Sequence, residues 1–185
     1  MTEATDTAVL VADDERALVD LYAKFLESEY DVRTATGGAE ALEKVDEAVD
    51  VVLLDRRMPD LSGDEVLCEL RDRGLDCMVA MLTAVEPDID IVEMPFDDYK
   101  VKPVDRSDLL GLVEVLVDRA SYDEQSQVFF RLASKKAALE VAGNDDTEEY
   151  DRLVKRMAEV RADIDETLDR IGSEAAFRGF PGGKA

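Results

Sequence analysis

Five strand-like runs mark the first two-thirds of the chain, at residues 7–12, 30–35, 50–55, 77–82 and 98–101. Each is short, mostly aliphatic or β-branched, and stops at polar or charged residues. Helical spacing fills the gaps. Ala17, Leu18, Leu21, Tyr22, Phe25 and Leu26 predict a first helix, and Ala41, Leu42 and Val45 a second over 39–47. A third opens at Ser62, with Glu65 completing a capping box, and ends at Gly74. A helix through Leu109, Leu110, Val113 and Leu116 follows the fifth run, capped by Asp105 or Ser107. Pro87 and Pro95 leave room for only a short helix over 85–96. Strands alternating with helices predict an α/β fold with a parallel, doubly wound sheet. Val51-Val52-Leu53-Leu54 reads as its central strand, buried on both faces.

From Arg119 onward the pattern is helical only. Ser121 and Glu124 have capping-box spacing, so a new helix is expected there, reaching about Ala142; one unbroken helix from the preceding element is the alternative. Gly143-Asn144-Asp145-Asp146 predicts a turn, with Asp146 and Glu149 as the next cap. Tyr150, Leu153, Met157, Val160, Ile164, Leu168 and Ile171 then recur at alternating steps of three and four. Tyr122, Phe129, Leu132, Ala133 and Leu139 offer a complementary stripe, so an antiparallel α-helical hairpin is expected. The expected division is 1–118, 119–175 and a disordered tail over 176–185.

Composition narrows the function. With 22 basic and 45 acidic residues the formal charge is −23, which argues against a broad phosphate-binding face. Arg outnumbers Lys, and Asp is abundant. Strong screening removes the self-repulsion of such a surface, so a salt-loaded, halophilic source and unfolding in dilute buffer are expected. There is no histidine, which excludes histidine-based catalysis. Cys68 and Cys77 have no metal-type spacing and read as two buried thiols. The chain shows neither a signal-like start nor a membrane-length apolar run, and a cytoplasmic location is expected.

The ends of the predicted strands carry the chemistry. Asp13 and Asp14 follow the first, Asp55 the third, Thr83 the fourth and Lys102 the fifth. In a parallel sheet all of these ends lie on one rim, where ligands bind. Clustered carboxylates repel unless a cation joins them, and Mg²⁺ suits one to three carboxylates. A carboxylate oxygen of Asp55 is then a candidate nucleophile toward phosphorus, with Thr83 and Lys102 as donors to the transferring oxygens.

These residues bring a family into view. Val11-Ala12-Asp13-Asp14-Glu15, Leu54-Asp55-Arg56-Arg57-Met58-Pro59, Leu82-Thr83-Ala84 and Asp97-Asp98-Tyr99-Lys100-Val101-Lys102-Pro103 resemble the motifs of the response-regulator receiver domain, across about three-fifths of the chain. The resemblance implies a flavodoxin-like sheet of order 2-1-3-4-5 and phosphotransfer from a histidine kinase. It implies Asp55 as phosphoacceptor, Mg²⁺ on Asp13, Asp14, Asp55 and the Arg57 carbonyl, and Thr83 and Lys102 at the phosphoryl group. Tyr99 matches the switch aromatic that turns inward as Thr83 moves, and the Lys102-Pro103 bond is expected to be cis. Such a protein is not an enzyme in the usual sense, although Asp55 takes part in its own phosphorylation and hydrolysis. A Mg²⁺ phosphatase of related fold would need an acid/base Asp where Arg57 stands.

Two departures set this chain apart. The segment between Thr83 and Lys102 is about one helical turn shorter than in most receivers. A stunted fourth helix is expected, which puts the usual dimerisation face in question. Arg56 and Arg57 also place two cations beside Asp55, read as solvated charges or, for Arg57, as tuning phosphoryl lifetime.

The stretch from Tyr122 through Leu139 resembles the HalX domain of haloarchaea. Its basic residues, Arg131, Lys135, Lys136, Arg152, Lys155, Arg156 and Arg161, are interleaved with acids and read as a solvated face. The function expected is a two-component response regulator whose helical module serves output or dimerisation in transcriptional regulation. A DNA-binding transcription factor and a phosphorelay carrier are the alternatives. A homodimer through the C-terminal helices is left open.

Overall fold

The computed structural model describes residues 6–120, 122 and 124–178. Five parallel strands form one sheet of order β2-β1-β3-β4-β5. They are β1 (Ala8–Ala12), β2 (Asp31–Ala35), β3 (Val51–Leu54), β4 (Met78–Thr83) and β5 (Asp98–Val101). Between them lie α1 (Arg16–Leu26), α2 (Gly38–Lys44) and α3 (Gly63–Asp72), and a short 3-10 helix, η1 (Ile89–Glu93), precedes β5. Three helices follow: α4 (Arg106–Ala120), α5 (Glu124–Val141) and α6 (Glu148–Arg178). The expected α/β order and the helical hairpin are both present. Helix α6 runs three residues past the expected end of the hairpin at 175, and the rest of the expected tail lies outside the described residues.

Strand alternation sorts the core into two layers. Val9, Val11, Val51, Leu53, Met78 and Ala80 face α1 and α4. Leu10, Ala12, Val52, Leu54, Val79 and Met81 face the layer of α2, α3 and η1. Leu132 and Leu139 of α5 and Leu153 of α6 belong to this second layer, so the hairpin extends the sheet's own core. A hairpin of this size has little core alone, and burial against the sheet resolves that.

The helix ends follow the sequence with a few corrections. Ser62 and Glu65 form the capping box of α3, and Gly74 takes positive φ just beyond its end. Asp105 caps α4, accepting from the Asp108 amide at 2.8 Å. At α6 the cap is Thr147, whose hydroxyl accepts from the Tyr150 amide at 3.1 Å, instead of the expected Asp146. Tyr122, between α4 and α5, is a bend and not helix, so the unbroken alternative is excluded; the expected cap Ser121 lies outside the described residues. On α1 the buried positions are Val19, Tyr22 and Leu26, while Leu21, expected inward, is exposed because the stripe is centred one residue further along. Cys77 is buried but Cys68 is exposed, on the side of α3 away from Val66, Leu67 and Leu70. Among the described residues no helix is long and apolar enough to cross a membrane.

Candidate functional site

The carboxyl ends of β1 and β3 bring Asp13, Asp14 and Asp55 together. One ligand oxygen from each lies within 4.8 Å of the others. Asp13 and Asp55 are buried, and Asp14 is exposed at the mouth. Each buried carboxylate is held by the backbone. Asp13 Oδ1 accepts from the Glu15 amide at 2.9 Å, and Asp55 Oδ1 from the Arg56 amide at 2.9 Å. Hard oxygen donors at this spacing fit Mg²⁺, which keeps several waters and needs only part of its shell from protein.

Lys102 reaches this cluster from the end of β5. Its ammonium is hydrogen-bonded to Asp13 and stands 3.7 Å from Asp55 Oδ1. Burial pulls the ammonium pKa down, but Asp13 and Asp55 outweigh it and the pKa is raised. At Asp55 burial dominates, so its pKa is raised despite Lys102 and a hydrogen bond from Thr83. The Lys102-Pro103 peptide is cis, as expected. The residues around the opening include Glu15, Arg57, Thr83, Ala84 and Glu86, enclosing about 520 Å³.

Close backbone approach shapes the loop after Asp55. The Gly63 amide donates to the Arg56 carbonyl at 2.9 Å. A Cβ on Gly63 would meet the Asp55 carbonyl oxygen at 2.1 Å, so only glycine fits there. Asp60 in the same loop caps α2, accepting from the Gly38 and Ala39 amides at 3.1 and 3.0 Å.

Tyr99 is buried, and its hydroxyl donates to the Val85 carbonyl at 2.7 Å. The Thr83 hydroxyl oxygen accepts from the Val85 amide at 3.3 Å. The fourth helix is stunted as expected, reduced to the five residues of η1.

The comparisons agree with this geometry. A model of the response regulator receiver domain matches residues 9–114. The chain belongs to that family. A HalX domain model matches residues 118–180 directly behind the receiver. A Haloferax volcanii protein named as a candidate transcriptional regulator is 48% identical over 178 residues, covering 95% of this chain and 29% of that protein. The alkaline phosphatase synthesis transcriptional regulatory protein PhoP of Bacillus subtilis is 39% identical, covering 60% of this chain and 49% of that one. The chain thus spans about a third to a half of the length of these relatives. Among solved structures, a receiver domain from Methanospirillum hungatei is 27% identical with a TM-score of 0.58, covering 62% of this chain and 95% of that one. A Thermotoga maritima response regulator in complex with Mg²⁺ and a beryllofluoride is 35% identical with a TM-score of 0.54, covering 60% and 98%. The haloarchaeal relative suits the acidic composition.

Three charged residues that sequence reading assigned to solvent are instead structural. Arg56 is ion-paired to Asp64 and Asp90, with its side chain 11% exposed. Arg131 pairs with Asp97, and Lys135 is buried with its ammonium donating to the Val92 carbonyl at 2.7 Å. Arg131 and Lys135 are the eighth and twelfth residues of a helix whose partner surface is distant in sequence. Their spacing on α5, four apart and flanking Leu132, was the one signal that they share a buried face.

Proposed function

We propose that this chain is a phosphorylation-controlled switch of a two-component system, in which Asp55 accepts a phosphoryl group from a histidine kinase. One Asp55 oxygen attacks phosphorus while the bond from phosphorus to the donor nitrogen breaks, and the imidazole leaves with the electron pair. Asp13, Asp14, Asp55 and the Arg57 carbonyl would hold Mg²⁺, which supplies positive charge to the phosphoryl oxygens when bound. Lys102 provides a second cation, and Thr83 a hydroxyl donor, for those same oxygens. Thr83 and Tyr99 form the switch that reports the state of Asp55. We place the receiver over 1–118 and the hairpin over 119–175, with the hairpin as the output module in transcriptional regulation. The observation that supports this most directly is Asp55 itself, buried beside two further carboxylates with Lys102 at 3.7 Å.

Direct DNA binding by the hairpin is the weaker reading. The exposed Arg152, Lys155, Arg156 and Arg161 of α6 are interleaved with exposed Asp151, Glu159 and Asp163, which leaves no continuous basic face on α6 among the described residues.

Intact-mass measurement on the full chain in high salt, with acetyl phosphate and Mg²⁺, tests the assignment. The expected result is one added phosphoryl group, absent when Mg²⁺ is chelated before acetyl phosphate is added and absent in Asp55→Asn. Full labelling of Asp55→Asn would overturn it. The native mass of the labelled chain reports whether phosphorylation also drives pairing through the C-terminal helices.

A further inference from the structure

The residue directly after Asp55 carries an interaction that the phosphotransfer chemistry does not use. The Arg56 guanidinium takes Asp64 of α3 in a two-pronged contact, Nε to Oδ1 at 3.0 Å and Nη2 to Oδ2 at 3.1 Å. The same Nη2 is hydrogen-bonded to Asp90 in η1. One planar cation therefore ties α3 to η1 while its own backbone amide holds Asp55 Oδ1.

On its other side η1 is gripped by the hairpin. Lys135 of α5 donates to the Val92 carbonyl at 2.7 Å, and Asn144, in the turn before α6, donates to the Pro87 carbonyl at 3.0 Å. Ile91 is fully buried beneath. A five-residue 3-10 helix has few hydrogen bonds of its own, so its position is set by what holds it from either side.

We propose that Arg56 is a positioning residue that couples Asp55 to the helical hairpin through Asp90 and η1. The proposal rests on Asp55 being the phosphoacceptor. Converting the Asp55 carboxylate to an acyl phosphate removes negative charge from the oxygen that accepts from the Arg56 amide. The change reaches the guanidinium, then Asp90, then the carbonyls that Lys135 and Asn144 hold. The charged, bidentate geometry suits this role, because it transmits displacement in a fixed direction where an apolar contact would slide.

The test compares the full-length wild type, Asp90→Asn, Asp90→Glu and Arg56→Gln in high salt, each with and without acetyl phosphate and Mg²⁺. Intact mass reads Asp55 labelling, and amide hydrogen exchange over 131–139 reads the hairpin. In the wild type, labelling is expected to change exchange of those amides about fivefold or more. Asp90→Asn should label as fully as the wild type, yet its exchange should change less than about twofold on labelling. Arg56→Gln should lose the response in the same way, and Asp90→Glu, which keeps the charge, should retain it. A response left intact in Asp90→Asn, or missing from the labelled wild type, would overturn the coupling. Failure of the wild type to label at Asp55 would instead overturn the phosphoacceptor assignment beneath it.

Discussion

Arg131 on α5 donates from Nε to Oδ1 of Asp97 at 2.5 Å, and that carboxylate is only 1% exposed. Its other oxygen accepts from Arg71 at 3.0 Å and from the Val79 amide at 2.8 Å. Asp97 is thus a buried anion shared by α3, the sheet and the hairpin. Removing Arg131 leaves it with two partners and an unmet lone pair. Arg131→Ala is expected to weaken hairpin docking by about 1–3 kcal/mol. Hydrogen exchange in high salt should show faster exchange over 131–139 with little change in β1 and β3. Unchanged protection would mean that Leu132, Leu139 and Leu153 hold the hairpin without the ion pair.

Lys135 gives docking a pH dependence of calculable sign. Burial lowers its pKa from the ordinary 10.5 to about 8, with Glu93 and Asp97 opposing and Arg131 assisting. Between those values the undocked lysine holds a proton that the docked one lacks, so docking strengthens as pH rises through this window. Below about 8 both forms are protonated and the dependence vanishes. Lys135→Met should lose this slope, measured as the difference in exchange protection of α5 between the two proteins across the window. Identical slopes would exclude Lys135 as the source.

Gly63→Ala should damage the site from a position that carries no chemistry. The new methyl would press on the Asp55 carbonyl oxygen and on the Arg56 Cα, both backbone, so neither can swing away. A loss of about 1–3 kcal/mol is expected from the forced backbone shift. Thermal melts in high salt check the stability, and acetyl-phosphate labelling checks the displacement of Asp55. Wild-type values for both would mean the loop yields more easily than its hydrogen bonds suggest.

Arg57, in contrast to Arg56, is exposed and borders the opening above Asp55. With Asp55 as the proposed phosphoacceptor, this position lies on the path of water toward an acyl phosphate. Arg57→Ala is expected to change the lifetime of the labelled chain several-fold without changing the extent of labelling at saturation. A chase by intact mass after removing acetyl phosphate reads this, and an unaltered decay would assign Arg57 to surface charge alone.

Much of this was legible in the sequence because it is local. Strand runs ending in Asp13, Asp55, Thr83 and Lys102 fix a rim once the sheet is parallel, and the structure brings all four together with Asp14. Pro87 and Pro95 announced the short η1, and Gly74 the end of α3. What stayed hidden depends on contacts between residues far apart. Arg56 meets Asp90 across 34 positions, and Arg131 meets Asp97 across 34. A charged side chain reads as solvated until the surface that buries it is known. Thr147 was missed for a smaller reason: Asp146 and Thr147 are both good caps, and adjacent candidates are not separable by type.

Only residues 121–123 separate the last residue of α4 from the first of α5. A link this short spans no more than about 14 Å when fully extended. A hairpin set free from η1 therefore stays beside its own docking surface, at an effective concentration on the order of millimolar or above. Rebinding is then independent of how much protein the cell contains. Any partner that uses the uncovered surface must outcompete a rival that never diffuses away.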